Sequence, residues 1–118
     1  MSDPLQKVRE AALELPETSE KLSHGQPTFF VAGKQFAQFR NNHHGDDKTV
    51  VCVRVSSPDE HAMLLEADPD TYSKPAYMPT WLSINLAGNN VDWDHVADRI
   101  AASWELAAPR RLLEAGGR

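Results

Sequence analysis

The residues best suited to chemistry include a short cluster of histidine and aspartate in one polar stretch. The cluster comprises His43, His44, Asp46 and Asp47. Imidazole and carboxylate groups ligate first-row metals, but adjacent residues in a loop rarely converge on one ion, and no familiar zinc-ligand spacing accompanies them. We therefore expect a solvated loop between strands, with a bound ion as the alternative.

Two further residues, His24 and Cys52, are candidates for acid–base and nucleophilic chemistry. An imidazole titrates near neutrality, although a histidine beside a turn more often bonds to nearby backbone. A reactive thiol requires an exposed, electropositive setting, whereas Cys52 lies among valines in a predicted strand. The chain also lacks a Gly-x-Ser-x-Gly sequence, a glycine-rich phosphate loop and a cysteine pair. We expect no enzymatic activity and no cofactor.

Basic side chains form a third group, and such side chains contact phosphate when a protein binds nucleic acid. The chain is acidic overall, with 12 Lys and Arg, 17 Asp and Glu, and a formal net charge of -5. Residues 21–57 nevertheless contain five basic and only two acidic residues. These totals exclude a protein that coats nucleic acid with its whole surface but allow a restricted basic surface. Its candidate residues are Lys21, Lys34, Lys48, Lys74, Arg110 and Arg111.

Aromatic residues provide the remaining candidate contacts. Tyr77 and Trp81 flank Pro79, and together with His24 they form a candidate contact patch; the alternative is a packed sheet edge. The four phenylalanines interleave with basic residues and suit either base stacking or a hydrophobic core. We expect them in the core.

A β-hairpin over residues 24–40 must position many of these groups. Two runs of aromatic and branched residues flank Gly33-Lys34, which suits a two-residue type II′ turn. That turn predicts a register in which Val31 lies opposite Phe36, Phe30 opposite Ala37, and Thr28 opposite Phe39.

The rest of the chain alternates helix and strand signals. We predict helices over residues 3–15, over residues 58–67 with Ser57 as cap, and from about residue 92 to a break at Pro109. We predict a central or next-to-central strand over residues 49–55 and a half-buried strand over 81–86. Residues 17–23, if they form a strand, form an edge strand, and residues 72–78 form irregular chain or a short edge strand. This order predicts one α+β domain, residues 1–118, with a mostly antiparallel sheet covered by helices.

The apolar runs of the chain are far shorter than the roughly 20 residues that span a bilayer. The N-terminus carries charges where a signal peptide requires an apolar segment, and one cysteine cannot form an internal disulfide. We therefore expect a cytoplasmic protein without a membrane partner.

Residue combinations along nearly the whole chain resemble the MmcQ/YjbR-like family of small bacterial proteins. They are Leu15-Pro16, His24-Gly25, Pro27-Thr28-Phe29, Gly33-Lys34, Phe36-Ala37, Tyr77-Met78, Trp81, Val91-Asp92-Trp93 and Ser103-Trp104. The resemblance implies a single domain of the order αβββαββα or close to it, similar to secretion chaperones. Members are commonly described as DNA-binding proteins that use two β-rich wings, and the family supplies no catalytic residues. This chain has Trp104 where tyrosine is usual.

The leading hypothesis from the sequence is therefore a non-catalytic binding protein that contacts DNA through the basic hairpin region. The alternative is a protein-interaction module, chaperone-like or dimerising, with no nucleic-acid role. A homodimer or another protein would then be the partner.

Overall fold

The structure, a computed structural model, describes residues 4–23, 25–41, 49–73, 80–87 and 91–114 of the chain. Its helices are α1 (Pro4–Leu13), α2 (Pro58–Ala67), α3 (Trp93–Ala107) and α4 (Arg110–Glu114). Its strands are β1 (Thr18–Ser23), β2 (Gln26–Val31), β3 (Lys34–Asn41), β4 (Thr49–Arg54), β5 (Tyr72–Ser73) and β6 (Trp81–Asn85).

All six strands form one antiparallel sheet in the order β1-β2-β3-β4-β6-β5. The α+β fold predicted from the sequence is confirmed, with β4 in the interior and the polar β1 at an edge. The described order contains one strand and one short helix more than the αβββαββα order that the resemblance implies. The extra helix, α4, follows Pro109, which interrupts the last helical segment.

The hairpin of β2 and β3 forms as predicted, but its turn and register differ from the prediction. The central residues of the turn are Ala32 and Gly33, with φ of 48° and 85°. Positive φ at both positions is the type I′ arrangement, whose twist matches that of paired strands, so the type II′ prediction at Gly33-Lys34 was wrong. The observed pairs are Val31 with Lys34, Phe30 with Gln35, Phe29 with Ala37, and Thr28 with Gln38.

A register shift between Phe29 and Phe30 accompanies this turn. On β3 the shift leaves Phe36 as an additional residue, because Gln35 and Ala37 are the residues that pair with β2. A bulge of this kind re-aims side chains, and here both Phe36 and Ala37 are fully buried. The predicted register had no bulge, whereas in the structure the bulge allows the adjacent residues Phe36 and Ala37 both to be buried.

Capping residues define the starts of α2 and α3, and the Ser57 cap of α2 is as predicted from the sequence. The Ser57 hydroxyl accepts a hydrogen bond from the N–H three residues later, and the Asp92 carboxylate does the same at the start of α3. Helix α3 ends because Ala108 is extended, with φ of -67° and ψ of 143°. Proline disfavours the helical conformation of the residue before it, and Pro109 follows Ala108.

The main core lies between the helices and one face of the sheet, which we call the helix-covered face. Val96, Ile100 and Trp104 recur every four residues on α3 and are almost completely buried. They share this core with Val8 of α1 and with strand residues that include Phe29, Phe39, Val51, Val53, Leu82 and Ile84. No described helix is long and apolar enough to cross a membrane.

Candidate functional site

The opposite side of the sheet, which we call the polar face, carries a different set of side chains. Successive residues of a strand point to opposite faces, and the strand pairings place alternate residues of neighbouring strands in register. The described helices contribute no residue to the small apolar cluster on this side. The polar face includes Ser19, Lys21, Thr28, Phe30, Gln38, Arg40, Val50, Cys52, Arg54, Trp81, Ser83 and Asn85.

Three cations and no carboxylate belong to this set. Lys21, Arg40 and Arg54 lie on three different strands. The one acidic residue in the described strands is Glu20, which alternates with Lys21 and so points to the helix-covered face. There Glu20 accepts two hydrogen bonds from Arg9 of α1, at 2.7 and 2.9 Å. The described strands therefore contribute three positive charges and no negative charge to this face, and Asp70 borders it beside Val50 and Asn85.

Two of these cations lie over aromatic rings of the same face. The Nζ atom of Lys21 is 5.0 Å from the ring centroid of Phe30, and Cζ of Arg54 is 4.8 Å from that of Trp81. Nε of Arg54 also donates a hydrogen bond to the backbone carbonyl of Gln35 at 2.8 Å. Burial lowers the pKa of Arg54, but a guanidinium group stays charged in proteins. Cation–π contacts thus hold both charges at the surface of the sheet.

The third cation is held by a chain of hydrogen bonds. Nε of Arg40 donates to Oε1 of Gln38 at 2.8 Å, and the Gln38 amide donates to the Thr28 hydroxyl at 3.0 Å. The hydroxyl in turn donates to the backbone carbonyl of Gln26 at 3.0 Å. Gln38 and Thr28 are buried, so this chain fixes one end of the Arg40 guanidinium relative to the backbone.

Cys52 lies at the centre of the polar face and is fully buried. Its sulfur is 3.4 Å from the hydroxyl oxygen of Ser83. Burial raises the pKa of the Cys52 thiol, which keeps it protonated at neutral pH. Cys52 is therefore a packed side chain, whereas a nucleophilic thiol requires an exposed, electropositive environment.

The sequence-predicted basic residues that the structure describes fall into two groups. Lys21 lies exposed on the polar face, and Lys34 lies exposed at the start of β3, beside the hairpin turn. Arg110 and Arg111 lie on α4, and both form ion pairs. Arg110 donates to Glu114 at 2.8 Å, one helical turn away. The structure does not bring Arg110 and Arg111 onto the polar face.

Arg111 forms a bidentate ion pair with Glu17. Its two terminal nitrogens donate to the two carboxylate oxygens at 2.5 and 2.8 Å. The hydrogen bond from Arg111 lowers the pKa of Glu17, and the same contact raises the pKa of Arg111. The carboxylate of Glu17 therefore compensates the positive charge of Arg111, which was predicted from the sequence to contact phosphate.

Of the candidate contact patch, the structure describes Trp81, which is 7% exposed and lies beneath Arg54. The other predicted site residues lie outside the described part of the chain; they are Lys48, Lys74, His24, Tyr77 and the cluster His43, His44, Asp46 and Asp47. Within the described ranges, no three His, Cys, Asp or Glu side chains come together as a metal site.

Arg40 and Arg54 were missing from the sequence-predicted site, although a signal for them exists. Both occupy alternate positions of predicted strands, on the side away from Phe39, Val51 and Val53. Combining this alternation with the pairing of β3 and β4 would have placed both arginines on one face.

A cavity of about 500 Å³ lies between β6 and the start of α3, and Asn85 at the end of β6 forms part of its lining. Its titratable lining residues are Asp68, Asp70, Asp92 and His95. The hydroxyl of Tyr72 is hydrogen-bonded to Nε2 of His95, and burial raises the pKa of Tyr72. With three carboxylates in its wall, this cavity disfavours anionic ligands, in contrast to the polar face.

Comparisons with known proteins agree with this fold. A family model described as YjbR matches residues 13–106. The crystal structure of the Deinococcus radiodurans protein DR2400, which has a DUF419 domain, is similar with a TM-score of 0.75. The similarity covers 97% of this chain and 88% of that chain at 17% sequence identity, a level that shows the fold alone. The search of curated proteins found no match.

Proposed function

The chain belongs to the YjbR family, and from this membership and the charges of the polar face we propose that it is a non-catalytic protein that binds DNA. The family membership confirms the resemblance drawn from the sequence. The observation that carries the proposal is that the described strand residues of the polar face include three cations and no carboxylate. Phosphate groups are the ligands that such a surface attracts.

The contact surface consists of the polar face and the neighbouring hairpin tip. Lys21, Arg40 and Arg54 supply the charges of the face, and Lys34 adds one at the tip. Four phosphate contacts from these described residues would give non-specific affinity, with a dissociation constant of roughly 10⁻⁴ to 10⁻⁶ M at physiological salt. The net charge of -5 acts against binding elsewhere on the protein and so restricts DNA to this surface.

Fluorescence anisotropy with a labelled 20-base-pair duplex, measured over a salt series, tests this proposal. Each phosphate contact on a duplex contributes about -0.9 to the slope of log K against log salt concentration. We expect a slope of about -3.6 for the wild-type protein with four contacts and about -1.8 for the double variant Lys21→Ala, Lys34→Ala.

The matched control is Lys7→Ala, which removes one positive charge from α1. Lys7 lies near Trp93 of α3, 5.6 Å from its ring centroid, on the helical side of the molecule. We expect this variant to keep the wild-type slope. Absence of DNA binding, a slope near zero, or an equal loss in Lys7→Ala would refute the proposal.

A second candidate function is self-association through β1, which the exposure of Leu22 favours. Leu22 is 72% exposed, and within the described residues no strand pairs with the outer edge of β1. Exposed edge strands can pair with a strand of a second copy. Sedimentation equilibrium tests this function: a wild-type dimer that Leu22→Glu dissociates would support it, and a monomer across the concentration range would exclude it.

A further inference from the structure

The aromatic rings of the polar face do not offer the open surfaces on which nucleic-acid bases stack. Proteins that bind single strands on a sheet use uncovered aromatic side chains as stacking platforms. Among the described residues of the polar face, the aromatic rings are Phe30 and Trp81. Lys21 lies over the first and Arg54 over the second, and Trp81 is only 7% exposed. A base could stack there only by displacing a cation.

The same contacts keep the cations in place for an anionic ligand. A lysine or arginine over a ring keeps its outer side directed to solvent, and Arg54 is further held by the carbonyl of Gln35. The rings therefore position charge, a role that does not require direct contact with the ligand.

The separation of the cations indicates the size of the ligand. Lys21 and Arg40 lie two strands apart, whereas Arg40 and Arg54 lie on adjacent strands, four residues apart along the pairing. With strands about 4.8 Å apart and a rise of about 3.4 Å per residue, these pairs of Cα atoms are separated by roughly 10 to 15 Å. A chain of phosphates can contact cations that are spread over a surface of this size.

We infer that the polar face binds the phosphodiester backbone of nucleic acid through its phosphates, without stacking of bases, and that it does not bind single phosphate groups. This inference rests on the proposed function and specifies its ligand. Binding is therefore insensitive to base identity and to the presence of bases, because the cations of the face contact successive phosphates and not the bases.

Two labelled 20-nucleotide strands test the inference on the wild-type protein. One strand is oligothymidylate, and the other has the same backbone with an abasic unit at every position. We expect their dissociation constants to agree within about three-fold, because the phosphate contacts are the same. Stacking would weaken binding of the abasic strand by about five-fold or more for each stacked base.

A Phe30→Leu variant provides a second measurement. If the ring only supports Lys21, the substitution weakens binding of both strands by the same factor, or of neither. A loss confined to oligothymidylate would overturn the inference, because it would identify Phe30 as a stacking platform. The half-buried position of Phe30 makes leucine a tolerable replacement.

Inorganic phosphate is the probe for single phosphate groups. At matched ionic strength, we expect phosphate and chloride to compete equally with the bound strand. Stronger competition by phosphate, or an abasic strand that binds more weakly than oligothymidylate by about five-fold or more, would overturn the inference and leave DNA binding intact. If neither strand nor the duplex binds, the proposed function itself fails and this inference falls with it.

Discussion

The hydroxyl of Ser103 on α3 donates a hydrogen bond of 2.5 Å to the backbone carbonyl of Phe36 on β3. The same oxygen accepts a hydrogen bond of 2.8 Å from the backbone N–H of Arg54 on β4. Phe36 and Arg54 lie one position beyond the end of the β3–β4 ladder, so the Ser103 hydroxyl occupies the place of the next ladder hydrogen bond. Helix α3 is thereby bonded to both central strands at the bulge.

Replacing Ser103 by alanine should reduce stability substantially. Ser103 is fully buried, so Ser103→Ala leaves a backbone donor and a backbone acceptor without this partner. We expect a loss of about 1 to 3 kcal/mol in the free energy of unfolding, measured by urea denaturation. The exposed Ser19 of β1 provides the matched control, for which Ser19→Ala should change stability by less than about 0.5 kcal/mol. Equal effects of the two substitutions would contradict the prediction.

Trp104 should be sensitive to loss of its indole N–H. This side chain is fully buried, and its Nε1 donates a hydrogen bond of 3.1 Å to the backbone carbonyl of Pro16. We expect Trp104→Phe to cost about 1 to 3 kcal/mol, from lost packing and from the unpaired carbonyl. Trp93→Phe, at a half-buried position on the same helix, should cost less. The prediction fails if thermal unfolding ranks the two variants in the opposite order.

The hairpin turn should become more stable with asparagine at position 32. Ala32 has a φ of 48°, a conformation that asparagine adopts more readily than alanine, and Asn-Gly is the preferred type I′ pair. We expect Ala32→Asn to add about 0.5 kcal/mol to the free energy of unfolding. On α2, the same substitution at exposed Ala62 should instead destabilise by about 0.5 kcal/mol. Urea midpoints that shift down for both variants would count against this interpretation of the turn.

Stability should fall with acidification partly through Glu60. The backbone N–H of Ser56 and, to a smaller extent, Arg99 lower the pKa of Glu60 from its ordinary value of 4.5. The unfolded chain therefore binds this proton more tightly than the folded protein. The stabilisation is complete above pH 4.5 and is lost as the pH falls through the lower pKa of the folded state.

The test of this pH dependence is urea denaturation at pH 7 and pH 3 for Glu60→Gln. We expect this variant to lose less stability between the two pH values than the wild-type protein does. Glu66→Gln, an exposed position on the same helix, controls for general charge effects. A wild-type and a Glu60→Gln protein with identical pH dependence would show that the Ser56 contact contributes nothing.

The ion pair between Glu17 and Arg111 should be dispensable for DNA binding. The double variant Glu17→Gln, Arg111→Ala leaves the net charge unchanged, and each charge compensates the other in the folded protein. We expect a dissociation constant within about two-fold of the wild-type value by fluorescence anisotropy, because no net phosphate contact is lost. A ten-fold loss of affinity would instead indicate that Arg111 contacts phosphate, as predicted from the sequence.

Most of the fold was predictable because its signals are local. The Ser57 cap, the break at Pro109 and the alternation of β4 each depend on neighbouring residues. The register of the hairpin was not predictable, because it depends on a left-handed alanine. Alanine does not signal that conformation, and the extra residue in β3 then changes which side chains pair.

The candidate site was only partly predictable, for a different reason. Charge counting along the chain identified the basic hairpin region and Lys21, but a count does not assign side chains to faces. Arg111 illustrates the limit: its partner Glu17 lies 94 residues away in sequence, and only the fold brings them together. The chain of hydrogen bonds from Arg40 through Gln38 to Thr28 likewise depends on the observed register.

Because Cys52 is buried, the reactivity of its thiol reports how often the surrounding part of the sheet opens. The thiol lies on a central strand and is fully buried, so an alkylating reagent in solution can reach it only when that part of the sheet separates from its surroundings. Because the chain contains no other cysteine, the rate of labelling counts those opening events without a background signal. Any ligand that holds the strands together would slow this labelling, whether or not it touches the sulfur.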